Sequence, residues 1–552
     1  MAITSTAGLN LRHWRGDLMG GFTAAVVALP LALAFGVASG AGPMAGLYGA
    51  ITLGFLGALL GGTATQVSGP TGPMTVVMTG LLALLSRRYG TESALPLAFG
   101  IAALAGMLQV LLGVLRLGQY LTFMPYTVIS GFMSGIGVII VILQLPPLLG
   151  LKHAGSIPAV LLALPKALPQ VNPLALLVGG VSFAAVVLYP RRWNSVIPAP
   201  LVVLVVGTLL TAVALPADAL PRLGAMSTGL PQLAWPRLPL GDLQLVISGA
   251  ITLALLGSLD TLLTSLVADS ITRSHHDSER ELIGQGIGNT AAALLGGLPG
   301  AGATMRTVVN VQAGGRTRLS GMTHAAVLLV ISVGAGRLAS PIPLAVLAGI
   351  LLKVGLDIID WSFLLRAPRL SMRTTGLMWL VLLLTVFWDL ITAVLVGMFL
   401  ANLLSLKRQN DQQQKTARTL RGGRALLEEQ GLSPTEQELL RQAGDKVLLL
   451  QMSGPLSFGA GKILTQKLNA IGAFHTLVLD LSTVPLLGVT AALAIETLCL
   501  DSSQQGREVA IVTTTEQPLA RLQRLEVPQI EGVSILSSRS AALQQALSAM
   551  TR

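Results

Sequence analysis

The sequence predicts a polytopic, all-α membrane domain of about fourteen spans, followed by a small α/β domain. Of the 552 residues, 52% are hydrophobic and only 11% are charged, whereas about 25% of an average soluble domain is charged. Two stretches rich in glycine or proline interrupt the apolar sequence at similar places in its two halves, and the polarity changes abruptly after Lys407. Lipid must therefore surround most of the chain before that residue.

Charge and cysteine content exclude other classes of protein. The formal net charge is +11, but lysines and arginines are scattered through short loops and the C-terminal region, where membrane topology accounts for them. We therefore expect no nucleic-acid partner. The single cysteine, Cys499, excludes an internal disulfide and a thiolate metal cluster. The first apolar run, from about Gly20 to Val37, is long enough to be an uncleaved span rather than a signal peptide.

Apolar windows of about 20 residues between polar or glycine/proline breaks define the expected spans. The third and the tenth are too short to cross a bilayer alone, and each follows one of the glycine-rich breaks. They hold equivalent places in two groups of seven, so we predict a 7+7 arrangement. The expected spans begin near Gly20, Pro43, Thr71, Leu95, Phe123, Pro173, Pro198, Val246, Glu281, Thr304, Leu319, Ile342, Thr375 and Asp389.

The orientation in the membrane follows from the basic residues of the loops. If the N-terminus is cytoplasmic, the inner loops collect more arginines than the outer loops, among them Arg273, Arg280, Arg316 and Arg318. We therefore expect a multi-pass protein of the cell membrane with both termini in the cytoplasm.

The two breaks share a local pattern. The segments from Ser68 to Pro73 and from Gly300 to Arg306 each contain a hydroxyl residue, Thr71 or Thr304, from which an apolar helix can begin. A helix N-terminus inside the membrane presents unpaired amides and about half a positive charge, so two such tips aimed at one point would hold an anion. The alternative is that these glycines and prolines merely kink ordinary packed helices. The matching places of the breaks favour the anion site.

A soluble α/β domain is expected after the membrane part. The polar run that begins at Lys407 cannot lie in lipid, and short apolar strands then alternate with helical segments. We place the transport domain at residues 1–406, a linker and helical connection at 407–438, and the α/β domain at 439–552. Strands are expected over Val447–Met452, Thr476–Leu481 and Glu508–Thr513, and helices over Leu456–Leu468 and Ala491–Leu500.

Short segments from the first span to the soluble tail match one known family. They are Pro30–Gly36, Gly46–Gly49, Pro70–Thr75, Met124–Phe132, Asp260–Ser265, Gly284–Gly286, Gly302–Thr304 and Leu477–Val484. Together they resemble the SulP (sulfate permease) family of anion transporters with a C-terminal STAS domain, and within it the cyanobacterial bicarbonate transporters. The resemblance implies two inverted seven-helix repeats, split into a core and a gate domain, with half-helices at spans 3 and 10 and the substrate between them.

A carboxylate in the eighth span gives a candidate cation site. Asp260 lies in the apolar stretch from Leu253 to Val267, where an ionised carboxylate is costly unless it meets a cation or a polar cavity. Thr264 shares its helical face. Oxygen atoms of these residues, of the Gly302 backbone and of the Thr304 hydroxyl would suit Na⁺, and a relative of this kind uses the matching positions for sodium. The alternatives are a structural pair with an arginine and a proton carrier.

Two positions depart from the bicarbonate-transporting branch. That branch has a small residue where Arg306 stands and is expected to have an acidic one in place of Gly69, whereas many other members carry an arginine that faces the anion. Arg306 could bind an oxyanion directly and could pair with Asp260, and the requirement for Na⁺ could then weaken. The residues expected to bind the substrate are Thr71, Gly302, Ala303, Thr304 and Arg306.

Three hypotheses of different class follow. The first is a secondary active transporter of a small inorganic oxyanion, bicarbonate ahead of sulfate, coupled to Na⁺ and working by an elevator-like or rocking movement of core against gate. The second is an H⁺-coupled or exchanging transporter of sulfate or another anion, with Arg306 as ligand.

The third hypothesis is a non-transporting receptor with the STAS domain as output. Two intact half-helix segments disfavour it, as does a phosphorylation loop in which only Thr490 could accept phosphate. An enzyme is not expected, because the sequence contains no nucleophile with its base and no P-loop. No cofactor is expected besides Na⁺ as coupling ion. The expected partners are the anion, membrane lipid and a second copy of the chain, bound through the STAS domain and the last span.

Overall fold

The structure, a computed structural model, describes residues 13–118, 125–151, 157–190, 193, 198–216, 218–224, 233, 237–334, 340–388, 390–416, 418–421, 432–456 and 474–550. The chain divides into two compact units, Met1–Ala401 and Asn402–Arg552. The first is mainly helical and the second contains a five-stranded sheet in its described part.

A helix begins near each of the expected span starts. Two short strands, β1 (Ser68–Gly69) and β2 (Ala301–Gly302), interrupt the helices at the two breaks. The helices are α1 (Trp14–Ser39), α2 (Pro43–Leu60), α3 (Gly72–Tyr89), α4 (Thr91–Val114), α5 (Tyr126–Leu148), α6 (Ile157–Ala167), α7 (Pro173–Leu188), α8 (Ala199–Ala214), α9 (Leu243–Thr272), α10 (Ser278–Leu294), α11 (Thr304–Gln312), α12 (Arg318–Gly334), α13 (Leu344–Ile358), α14 (Trp361–Leu370), α15 (Met372–Phe387) and α16 (Leu390–Thr416). The sequence does not predict α6 and α14, and α16 continues through the polar run after Lys407.

Length and composition identify this unit as a membrane protein. Among the described residues, five helices (α1, α2, α4, α5 and α9) are long and apolar enough to cross a bilayer, and a pair bent by 119°, which ends in α7, would make a sixth. Large apolar side chains such as Leu162, Leu188 and Val213 are exposed on the outside, as a lipid-facing surface requires. The expected number of fourteen crossings stays a prediction.

The helices of the first unit pack in two groups. In the first group, α10 packs against α2 and α4, α12 packs against α1 and α2, and α9 packs against α4. In the second group, α13 packs against α5 and α7, and α15 packs against α5. Both strands and the helices that follow them belong to the first group. The groups meet where α1 and α3 face α5, α8 and α13.

Local sequence explains how α1 is placed in the first group. Gly40 ends it in the left-handed conformation, with φ +82°, and Pro43 starts α2 at a position that needs no amide donor. Near the start of α1, the buried carboxylate of Asp17 accepts the backbone N–H groups of Arg316 at 2.7 Å and Thr317 at 2.9 Å. This carboxylate fixes the turn between α11 and α12 to α1.

The second unit is an α/β domain. Its strands are β3 (Arg418–Arg421), β4 (Val447–Ser453), β5 (Thr476–Thr483), β6 (Glu508–Val512) and β7 (Val533–Leu536), side by side in this order. β3 is antiparallel to β4, and the other neighbours are parallel. Helices α17 (Pro434–Ala443) and α20 (Arg539–Met550) cover one face, and α18 (Val489–Gln504) and α19 (Glu516–Arg524) cover the other. The central strands are mainly apolar because both faces of the sheet are buried.

The expected strands correspond to β4, β5 and β6, and the second expected helix corresponds to α18. β3 and the start of α17 lie in the segment expected to be a linker, so that segment is partly structured. The first expected helix, Leu456–Leu468, lies outside the described residues except for Leu456. Phe123, Met124 and Asp389 also lie outside the described residues.

Candidate anion and cation site

The two glycine-rich breaks form one structural unit. β1 and β2 pair antiparallel, with Ser68 opposite Gly302 and Gly69 opposite Ala301. The strands approach so closely that a Cβ atom at Gly300 would lie 2.0 Å from the carbonyl oxygen of Gly69. Glycine is therefore required at position 300. The pairing brings the starts of α3 and α11 together.

Each strand leads into a helix whose first turn has no side-chain cap among the described residues. α3 starts after Thr71 and α11 starts after Ala303, and neither residue caps its helix through its side chain in the described structure. The first amides of each helix thus have no partner within the helix and present a partial positive charge. α3 has 18 residues and α11 has 9, so the two tips are alike although the helices differ in length.

Thr264 connects α9 to the second break. Its Oγ1 donates a hydrogen bond to the carbonyl oxygen of Gly302 at 2.9 Å and lies 2.8 Å from Oγ1 of Thr304. Thr261, one turn earlier, accepts the N–H of Gly302 through its Oγ1 at 3.0 Å. Three of the four residues expected to hold a cation are therefore in direct contact.

Asp260, the fourth, lies one helical turn before Thr264 and is 8% exposed. Its carboxylate interacts with the side chain of Thr71 at the tip of α3. The two side chains form no hydrogen bond with each other, and Oδ2 of Asp260 and Oγ1 of Thr71 have no hydrogen-bond partner among the described residues. A buried carboxylate oxygen with unused bonding capacity is a suitable ligand for a hard cation.

Arg306 lies in the first turn of α11 and is only 2% exposed. Its Nη2 donates to the carbonyl oxygen of Pro70 at 3.0 Å, while Nη1 is buried without a partner in the part of the chain that the structure describes. The side chain thus reaches from one tip to the other. It forms no ion pair with Asp260, whose Oδ2 is likewise unpaired in that part. A guanidinium with a free N–H group can bind an oxyanion.

The backbone amides of Gly302 and Ala303 are already occupied. The N–H of Ala303 donates to the carbonyl oxygen of Val67 at 2.9 Å, and Gly302 donates to Thr261 as described above. Within the described part of the chain, the carbonyl oxygen of Gly302 accepts only from the Thr264 hydroxyl, which a cation could replace as its partner. The amide of Ala303 is used in its hydrogen bond to Val67. The structure brings together all the expected site residues: Thr71, Asp260, Thr264, Gly302, Ala303, Thr304 and Arg306.

Sequence reasoning missed the polar residues that support these elements. Thr261 could have been found, because it follows Asp260 directly in an apolar span. Gln66 and Thr307 carry no such signal. The Oγ1 atom of Thr307 accepts the backbone N–H of Val67 at 3.1 Å, which ties α11 to the residue before β1.

Comparison with known proteins decides the family. The family model described as the sulfate permease family matches residues 14–383, and the STAS domain model matches residues 440–541. This chain belongs to the sulfate permease family. The sulfate permease assignment makes it a membrane transporter of anions and not an enzyme, as the sequence predicts.

Relatives of this sulfate permease cover nearly its whole length. It is 47% identical to "Bicarbonate transporter BicA" of Picosynechococcus sp., over 98% of this chain and 96% of that one. The protein of the same name from Synechocystis sp. is also 47% identical, over 99% of this chain and 96% of that one. The solved transmembrane domain of a cyanobacterium BicA is 50% identical with a TM-score of 0.67, covering 70% of this chain and 98% of that chain.

Murine solute carrier 26 family member A9 is 22% identical with a TM-score of 0.83, covering 97% of this chain and 92% of that chain. This likeness shows a shared fold alone.

Proposed function

We propose that this transporter imports bicarbonate together with Na⁺ across the cell membrane. The substrate is supported by relatives named bicarbonate transporters, which match nearly the full chain at 47% identity. One observation of the structure carries the proposal. Asp260 and Arg306, both buried at the same two helix tips, keep unused bonding capacity instead of pairing with each other. Charges of both signs are thus available to a cation and an anion side by side.

The anion would lie between the tips of α3 and α11. Bicarbonate carries one negative charge and accepts hydrogen bonds, so it suits the open amides of these tips. Nη1 of Arg306 and the hydroxyl of Thr71, both buried without partners among the described residues, would donate to it. The segment from Gly302 to Thr304 would form the opposite wall.

The cation would lie next to the anion, among oxygen atoms. Asp260, Thr264, the carbonyl of Gly302 and Thr304 provide a carboxylate, two hydroxyls and a backbone oxygen, which are ligands that Na⁺ prefers. With Na⁺ bound, the repulsion between the Asp260 carboxylate and bicarbonate would fall. Each ligand would then raise the affinity of the site for the other, which is the thermodynamic requirement for cotransport.

Transport would proceed by movement of one helix group against the other. The first group, which contains both tips, would be the core, and the second group would be the gate, in a 7+7 inverted-repeat arrangement of fourteen spans. An elevator-like or rocking movement would expose the site to each side in turn. We place both termini in the cytoplasm and infer a homodimer through the STAS domain and α16.

One observation favours a second candidate function. Arg306 provides a permanent positive charge at the site, which could hold sulfate or another anion without Na⁺. Asp260 would then carry a proton, or transport would be an exchange of anions. The receptor hypothesis gains no such support, because the family consists of transporters.

Uptake into proteoliposomes separates these functions. Labelled bicarbonate and labelled sulfate are offered in turn, with an inward gradient of Na⁺, of H⁺ or of neither. We expect accumulation of bicarbonate that requires the Na⁺ gradient. Sulfate uptake driven by H⁺ would favour the second candidate, and no uptake of either anion would favour a receptor.

A further inference from the structure

A second buried carboxylate lies beside this site and has no role in the proposed transport cycle. Glu281, in the first turn of α10, is 1% exposed. Its Oε2 accepts the backbone N–H groups of Gly62 and Thr63, each at 2.8 Å. These amides belong to the turn between α2 and β1. Glu281 therefore holds the approach to the first break from a different helix.

The other carboxylate oxygen of Glu281 binds two glutamine side chains. Oε1 accepts from Nε2 of Gln66 at 2.7 Å and from Nε2 of Gln285 at 2.9 Å. Gln285 also donates to Oγ of Ser68 in β1, at 2.5 Å. Gln66 lies against Gly302 in β2, where a Cβ atom would be 2.6 Å from the amide carbon of the glutamine. One glutamine thus separates Glu281 from each strand of the β1–β2 pair.

The same cluster extends to α9. Oγ of Ser265 donates to Oε1 of Gln66 at 3.0 Å, and Oγ1 of Thr63 donates to Oγ of Ser265 at 2.8 Å. Ser265 directly follows Thr264, which contacts the Gly302 carbonyl. The cluster therefore touches both α9 and β2, the elements that hold the expected cation ligands.

The four hydrogen bonds to Glu281 require a carboxylate. An ionised, buried carboxylate is stable only when its oxygen atoms accept several donors, and bonds to a charged acceptor are stronger than neutral ones. A glutamine at this position would offer one acceptor oxygen and would turn an N–H₂ group toward other donors. Some of the amides around it would then lose their acceptor in a buried place.

We propose that Glu281 is a positioning residue that fixes the two helix tips relative to each other and so sets the affinity for both bicarbonate and Na⁺. It acts through Gln66 and Gln285 and touches neither ligand. The effect on affinity rests on the proposed function, whereas the effect on the position of the tips does not.

Hydrogen exchange of the full-length protein tests the structural part without any substrate. In Glu281→Gln, we expect faster exchange in peptides that cover residues 61–69 and 299–303, and unchanged exchange in α13. Glu279→Gln is the matched control, because Glu279 is a half-buried carboxylate on the same helix that accepts from the N–H of Gly118 instead. Unchanged exchange of both segments in Glu281→Gln would overturn the proposal.

Transport kinetics test the effect on affinity. In Glu281→Gln, the half-saturating concentrations of bicarbonate and Na⁺ should both rise by about 10-fold or more, since supporting residues of ion sites typically contribute about 10- to 100-fold. The maximal rate per folded molecule should change much less. The double variant Glu281→Gln with Gln66→Glu returns a carboxylate to the same contact, so it should recover most of the lost affinity.

The outcomes separate the possible failures. A reduced maximal rate with unchanged half-saturation, or a double variant no better than Glu281→Gln alone, would mean that Glu281 only stabilises the fold. Either result overturns the proposal. If the unmodified protein moves no bicarbonate, the proposed function fails, and hydrogen exchange still decides the role of Glu281.

Discussion

The guanidinium of Arg306 occupies the space that a side chain at Gly69 would need. A Cβ atom at Gly69 would lie 2.6 Å from Nη1 of Arg306, closer than real Cβ contacts. Nη2 of the same guanidinium donates to the carbonyl oxygen of the next residue, Pro70. The glycine of β1 and the arginine of α11 are therefore fitted to each other. Arg306 can place its positive charge at the tip of α3 because residue 69 has no side chain.

Gly69→Ala should displace the Arg306 guanidinium without removing it. We expect the half-saturating concentration of bicarbonate to rise about 10-fold, as for the loss of one charged hydrogen bond of about 1.5 kcal/mol. The matched control is Gly80→Ala in α3, where a Cβ atom would meet no atom of the chain within 4 Å. Concentration-dependent uptake of both variants checks this, and equal affinities would contradict the fitted pair.

Arg306→Gly should weaken anion binding more strongly, because it removes the charge itself. A hydrogen bond to a charged group contributes about 1.5–3 kcal/mol, so we expect about a 10- to 100-fold loss of affinity or a steeper dependence on Na⁺. Arg306→Lys keeps the charge but not the planar fork and should restore activity only in part. If anion affinity and Na⁺ dependence both stay as in the unmodified protein, Arg306 does not face the anion.

Thr264→Val should affect the cation more than the anion. The substitution keeps the shape but removes the hydroxyl that contacts the Gly302 carbonyl and the Thr304 hydroxyl. We expect the half-saturating concentration of Na⁺ to rise about 10-fold. Thr264→Ser, which keeps the hydroxyl, is the control. Uptake measured over a series of Na⁺ concentrations gives this value for both variants. An equal loss of Na⁺ affinity in the two variants would assign Thr264 a packing role.

The C-terminal unit contains a contact that depends on pH. Arg539 of α20 binds Glu436 of α17 at 2.9 Å and Asp480 of β5 at 3.2 Å. Burial alone would raise the pKa of Glu436, but hydrogen bonds from Arg539 and Ser433 outweigh it and lower this pKa from its ordinary 4.5. Because the pKa of Glu436 is lower in the folded than in the unfolded state, the contact stabilises the unit at pH values above the unfolded-state pKa. The stabilisation is lost as the pH falls through the folded-state value.

Cys499 provides a probe for this loss of stability. The thiol is buried in the core of the unit, and burial raises its pKa to about 12, so it should react only when the unit opens. With a disulfide reagent that works in acid, labelling should accelerate as the pH falls below 4.5. Glu436→Gln should label faster at neutral pH and show a smaller acceleration in acid. Identical pH profiles for the two proteins would exclude Glu436 as the cause.

The site could be located from the sequence because its main parts have local signals. A bilayer does not tolerate isolated breaks or charges, so the glycine-rich segment before Thr304 and the carboxylate of Asp260 stand out in apolar surroundings. The spacing of Asp260 and Thr264 places both on one helical face. All of these signals come from residues that are close together in the chain, so one sequence is enough to detect them.

The supporting contacts could not be predicted in this way. Glu281 and Gln66 are more than two hundred positions apart, and no periodicity links a polar residue in one helix to a turn before another. Nor does the sequence indicate that Arg306 reaches Pro70, which depends on the β1–β2 pairing. In the C-terminal unit, the sequence does not predict β3, because this strand pairs with β4 from within a polar segment whose composition is typical of a linker.

The most direct measurement is uptake of labelled bicarbonate into proteoliposomes with an inward Na⁺ gradient, for the unmodified protein and for Asp260→Ala. We expect accumulation that needs Na⁺ in the unmodified protein and is abolished in the variant, although the variant reconstitutes to the same amount. Full Na⁺-driven uptake by Asp260→Ala would contradict the claim that cation and anion bind side by side at the two helix tips.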